Sequence, residues 1–217
     1  MLLAQLAGLI VPFVLLHPMT TSDFLANAAA YSSQIKLAVF LLLVNCALTI
    51  CISLLSFPIF REHSVAAALL LVSASVIMFS LQAVDNAHLM SMLSLSQEYV
   101  QGGGSDERFQ TLALVVRSAR KWTHYSELLA IDSWFFALYG FLCRYPVVPR
   151  AIALFGLATV LIHFMAIPLP LFLGYNAVTL LGVPMAFGQT ALAVWLLARG
   201  FEGRPQGEAK EVMSYEL

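Results

Sequence analysis

Two stretches of this chain carry ionisable side chains inside otherwise apolar surroundings, and chemistry is expected there first. In residues 81–93, Asp85 and His88 stand three apart, with Gln82 one turn earlier. Spacings of three and four bring side chains onto one helix face, so these groups share a surface. In residues 117–132 the run Arg117, Arg120, Lys121, Trp122, His124, Tyr125 and Glu127 gives way to apolar sequence around Asp132. On a 3.6-residue period Arg117, Lys121, His124, Tyr125, Asp132 and Tyr139 fall on one broad face, with Arg120 and Glu127 flanking it.

If the two helices are antiparallel neighbours, Asp85 and His88 meet His124 and Glu127. The i, i+3 pairs D-x-x-H and H-x-x-E then point at one place, as ligands of a metal in a helix bundle do. His163, from a later helix, is the candidate third imidazole for a single zinc or iron. A ferritin-like two-metal centre does not fit, since no other apolar segment offers a carboxylate at that depth. Plain pairing fits the same residues, with Asp85 held by Arg117, Arg120 or Lys121. So does an organic ligand, whose anionic head would meet Arg117, Arg120 and Lys121 while Trp122, Tyr125, Trp134, Phe135 and Tyr139 line its apolar part.

Asp132 is the most telling single residue. It lies about ten residues into a span, close to the bilayer midplane, where a lone charged carboxylate costs about 2.5–3.5 kcal/mol on insertion scales. It must be neutral or paired, and His163, Lys121 and Gln189 are the partners on offer. His17 and His63 sit at span ends, where solvation accounts for them. Asn45 and Gln189 are expected to join helices by hydrogen bonds.

The elements that must position these groups are transmembrane helices. The chain has 217 residues, 60% hydrophobic and 11% charged, and a mean hydropathy of +0.86, against a charged share of about 25% in soluble domains. A net charge of -1 provides no basic field for nucleic acid. Cys46 and Cys51 point in different directions on one helix, and with Cys143 they form no C-x-x-C pair, so thiol redox chemistry is not expected.

About six spans are predicted in an all-α polytopic bundle over residues 1–200, followed by a polar, disordered tail over 201–217. Residues 2–16, with Pro12 inside, lack the basic start of a secretory signal and read as a short first span. Residues 24–34 read as an interfacial segment, 35–57 as the second span and 58–63 as a polar turn. The third span covers 65–93, a glycine-rich linker follows at 102–107, and an amphipathic helix over 109–121 precedes the fourth span at 122–143. Prolines 146 and 149 turn the chain into a fifth span at 151–167, and the sixth, 175–198, is kinked near Pro184.

Six spans put both termini on one side. Placing them in the cytoplasm leaves Arg61, Arg144, Arg150, Arg199, Arg204 and Lys210 inside and Lys36, Arg108, Arg117, Arg120 and Lys121 outside. That count is nearly even, and the short loop holding Arg144 and Arg150, where the rule is strongest, favours this orientation.

The run from Tyr145 and Pro146 through Pro149, Arg150 and Phe155 to Leu157, with the ending Trp195, Leu196, Leu197, Ala198, Arg199, resembles the bacterial six-helix membrane proteins grouped as domain of unknown function 4386. The likeness lies mostly in the second half of the chain. It implies the six-span count and brings no activity or catalytic residues.

Three function classes remain: a membrane protein binding a lipid or amphipathic, anionic small molecule in a polar cavity, an intramembrane metal enzyme, and a non-catalytic subunit of a membrane complex. No phosphate-binding loop, nucleophile elbow or H-E-x-x-H motif is present, and no inverted repeat of the kind found in transporters is evident.

Overall fold

A computed structural model describes residues 10–21, 23–104, 107–174 and 178–201. Among them there is no strand. Five long helices carry the fold: α1 (Ser32–His63), α2 (Val65–Gln101), α3 (Glu107–Arg144), α4 (Arg150–Ala166) and α5 (Val178–Arg199). Each packs on the next in sequence, which the short connections between them dictate.

Among the described residues, five helical segments are long and apolar enough to cross a membrane. Large apolar side chains such as Leu55, Leu180 and Leu197 stand about three-quarters exposed on their outer faces, as lipid-facing residues do and a soluble surface does not. The chain is an integral membrane protein. Residues 10–21 form a π-turn (Val11–Leu15) and a short helix (His17–Thr20). Residues 1–9, most of the expected first span, lie outside the described residues, as does 202–217 of the expected tail. The interfacial segment appears as Phe24–Asn27 and Ala28–Tyr31 packed against α2.

Helix boundaries differ from the sequence reading where no residue breaks the backbone. The amphipathic segment and the fourth span are one helix, α3, because residues 107–139 contain neither glycine nor proline. The third span likewise continues to Gln101, where Gly102 caps it and Gly103 and Gly104 take positive φ. At 37 and 38 residues α2 and α3 are about 55 Å long at 1.5 Å per residue, against about 30 Å of hydrocarbon, so both project beyond the bilayer. No turn forms at 58–63: α1 runs through Pro58 to His63. The break comes at Ser64, whose extended backbone starts α2 and whose Oγ accepts from Ala67 N–H at 3.2 Å.

Two apolar cores lie at opposite ends of the bundle. One joins Phe60, Trp134, Leu138, Phe141 and Val148. The other joins Val11, Met19, Phe24, Leu89, Met92 and Ala113, tying the N-terminal segment to α2 and α3. Between them only Cys46, Met78 and Ala130 make a small apolar cluster, and polar side chains occupy the rest of the seam.

Candidate functional site

The inward face of α2 repeats every seven residues. Leu71, Met78, Asp85 and Met92 form one row and Ser75, Gln82, Leu89 and Ser96 the other, all buried. This is a coiled-coil seam, and Asp85 occupies a core position in it. His88, one residue before the Leu89 row, sits on the flank and is only partly buried. It does not join the other candidate ligands, so the expected D-x-x-H pair contributes its aspartate alone.

On α3 the row Ala113, Arg120, Glu127, Trp134 and Phe141 has the same period. Ala113, Glu127, Trp134 and Phe141 are buried and Arg120 is half-buried. The 3.6-residue period places Arg117 and Lys121 on the polar face and Arg120 and Glu127 on its flanks. The structure turns this round: Arg120 and Glu127 point inward, and Arg117 and Lys121 are exposed. The seam follows the apolar residues, and the ionisable ones must take the rotation that the apolar ones set.

Asp85, 1% exposed, accepts a hydrogen bond from the Thr123 hydroxyl at 3.2 Å on Oδ1 and has the Arg120 guanidinium 3.8 Å from Oδ2. Glu127 is 5% exposed. Its Oε2 lies 3.6 Å from His124 Nδ1, beyond hydrogen-bond range. His124 Nδ1 and Arg120 Nε are both shut off from solvent without a hydrogen-bond partner. One ligand atom each from Asp85, His124 and Glu127 lie within 4.8 Å of one another. Thr123 escaped the sequence reading, although it lies one turn before Glu127 and shares its face. Below the cluster, Gln82 donates to Asn86 Oδ1 and Asn86 donates to the Val39 carbonyl of α1, both at 3.2 Å.

Above the cluster is an open groove of about 440 Å³. Met19 and Thr20 of the N-terminal segment, Met92 of α2, and Leu114, Arg117, Arg120, Lys121, His124 and Tyr125 of α3 line it. Of the aromatic residues expected around an apolar ligand, only Tyr125 is among these. Trp122 is exposed, while Trp134 and Tyr139 are buried in the core and Phe135 packs against them. Trp134 donates instead to Ser53 of α1 at 2.9 Å. A second concavity, on α4 and α5 around Ile152, Phe187, Val194 and Trp195, has largely apolar walls and none of the candidate groups.

Asp132 and His163 form a separate site. His163 Nδ1 lies 2.8 and 2.9 Å from the two carboxylate oxygens of Asp132, with both side chains buried between α3 and α4. His163 therefore does not supply a third imidazole to the Asp85 cluster. Seven residues further along both antiparallel helices, Tyr139 lies over Gly156, where an added Cβ would come within 2.1 Å of the ring. The glycine lets the helices approach closely enough for the buried pair to form.

No curated protein and no solved structure matches the chain. A family model does, over residues 1–200, so the match extends through the first half of the chain as well as the second. The chain belongs to the family described as domain of unknown function (DUF4386).

Proposed function

We propose that this protein binds a small anionic amphipath, a lipid or lipid-like metabolite, in the groove at the outer end of α2 and α3. The observation that carries the reading is Arg120 on the groove wall, whose guanidinium meets its closest acid, Asp85, only at 3.8 Å. An anionic oxygen arriving in the groove would accept from its terminal N–H groups, a strong interaction for a guanidinium. Arg117 and Lys121 flank it, and exposed Leu114 gives an acyl chain or ring an apolar contact beside the buried Met19 and Met92. Tyr125, with an apolar ring and a polar tip, suits the boundary between the two.

In this reading the protein sits in a bacterial cytoplasmic membrane with both termini inside. Arg144 and Arg150, flanking the short connection between α3 and α4, support that orientation.

Intact-mass measurement of the full chain, released from detergent, tests the binding. The wild type should retain an anionic adduct that Arg117→Gln/Arg120→Gln/Lys121→Gln loses. At about 1 kcal/mol per basic side chain near an anionic head, the triple variant should bind on the order of a hundredfold more weakly. An adduct-free wild type, or an equal adduct in the variant, overturns the reading.

A further inference from the structure

We infer that Asp85, His124 and Glu127 form a mononuclear site for a divalent transition-metal ion of the zinc or iron(II) type, open toward the groove. The ligand set is one imidazole and two carboxylates, which suits borderline divalent ions. Their ligating atoms already lie within 4.8 Å of one another. Around an ion with bonds of about 2.1 Å such atoms stand roughly 3.4 Å apart in tetrahedral geometry, within reach of rotations of the long glutamate and the half-exposed histidine.

Independent features point to a cation at this place. Glu127 is 5% exposed on the bundle seam, and its carboxylate meets the His124 ring only at 3.6 Å. His124 Nδ1, facing it from 3.6 Å, is shut off from solvent and also unpartnered. Buried polar groups are hydrogen-bonded or hold ions, and a carboxylate oxygen and a ring nitrogen 3.6 Å apart stand at the separation that two ligands of one ion take. The charge balance agrees: two buried carboxylates meet one fixed cation, Arg120, which reaches only Asp85. The Thr123 hydroxyl, shared between the Arg120 carbonyl at 3.0 Å and Asp85 Oδ1 at 3.2 Å, is placed to give the outer support that ligating carboxylates characteristically have. Three protein ligands converge among the described residues, and His124 also lines the groove, so the remaining coordination position faces the groove. The inference does not rest on the anionic ligand, since the three ligands hold the ion whatever occupies the groove.

The test is zinc binding to the full chain in detergent after chelator treatment, followed by calorimetry and by elemental analysis. One equivalent is expected in the wild type and in His88→Ala. His124→Ala and Glu127→Gln should each bind at least a hundredfold more weakly, because even outer-sphere changes cost about 10–100-fold. Less than a tenth of an equivalent in the wild type, or equal affinity in all four proteins, overturns the site. Should either ligand variant unfold, Co²⁺ on the wild type decides: the intense visible bands of a four-coordinate nitrogen and oxygen site support it, and the weak spectrum of aqueous Co²⁺ overturns it. Arg117→Gln/Lys121→Gln, which removes the two exposed groove cations and leaves the Arg120 that pairs with Asp85, should keep its zinc, so failure of anion binding and failure of metal binding are read separately.

Discussion

The buried pair of Asp132 and His163 lends itself to a double-mutant cycle. His163 Nδ1 contacts both oxygens of a carboxylate that is fully shielded from solvent. His163→Leu keeps a similar volume between α3 and α4 but leaves the carboxylate with no partner. Losing one partner costs about 3–5 kcal/mol for a buried ion pair and about 1–3 kcal/mol for a neutral hydrogen bond, so about 3 kcal/mol is expected. For a chain of this size that is a fall in Tm of roughly 6–12 °C, taking 2–4 °C per kcal/mol. Asp132→Leu should cost less, because it removes a carboxyl group that is expensive in apolar surroundings. Asp132→Leu/His163→Leu leaves neither group stranded and should return to within about 1 kcal/mol of wild type. Melting of the four detergent-solubilised proteins, followed by size-exclusion recovery after heating, gives the coupling. Single effects that add to within about 0.5 kcal/mol, or a His163→Leu protein that melts with the wild type, would refute the reasoning.

Gly156→Ala should destabilise by about 1–3 kcal/mol through overpacking against the Tyr139 ring, outweighing the gain of about 1 kcal/mol from replacing a helical glycine. Adding Tyr139→Leu in the same thermal assay should recover part of the loss; a Gly156→Ala protein as stable as wild type counts against the tight contact. For the orientation, Gly102→Cys in a chain with Cys46, Cys51 and Cys143 replaced by alanine should react with an impermeant maleimide on intact spheroplasts. Labelling only after the membrane is opened would reverse the proposed topology.

Much of the fold was legible because the bilayer demands long apolar helices with internally satisfied backbones, and composition alone signals them. The boundaries were less so. Pro58 reads as a stop, yet it removes only one hydrogen bond and its fixed φ is a helical one, so α1 continues to His63. The pairing of Asp132 was within reach for a different reason. A carboxyl group that deep admits few partners, and His163 was one of three named; choosing it required the antiparallel register that also sets Tyr139 on Gly156.

The cluster at Asp85 shows why ionisable spacing alone misplaces a site. Asp85 and His88 satisfy the i, i+3 rule, but a helix in a bundle turns to bury its apolar seam, and that seam runs through Leu71, Met78, Asp85 and Met92 rather than through His88. The same test applied to α3 selects Arg120, Thr123 and Glu127 and sends Arg117 and Lys121 outward to the groove. What results is an ordered separation of charge: two buried carboxylates beneath, one guanidinium between, and exposed cations above. A cation held by the carboxylates would strengthen the attraction of the groove for an anion, because its charge would act through the same poorly polarisable surroundings. Metal and anion affinities should therefore rise together, and by linkage each should increase the other by the same factor.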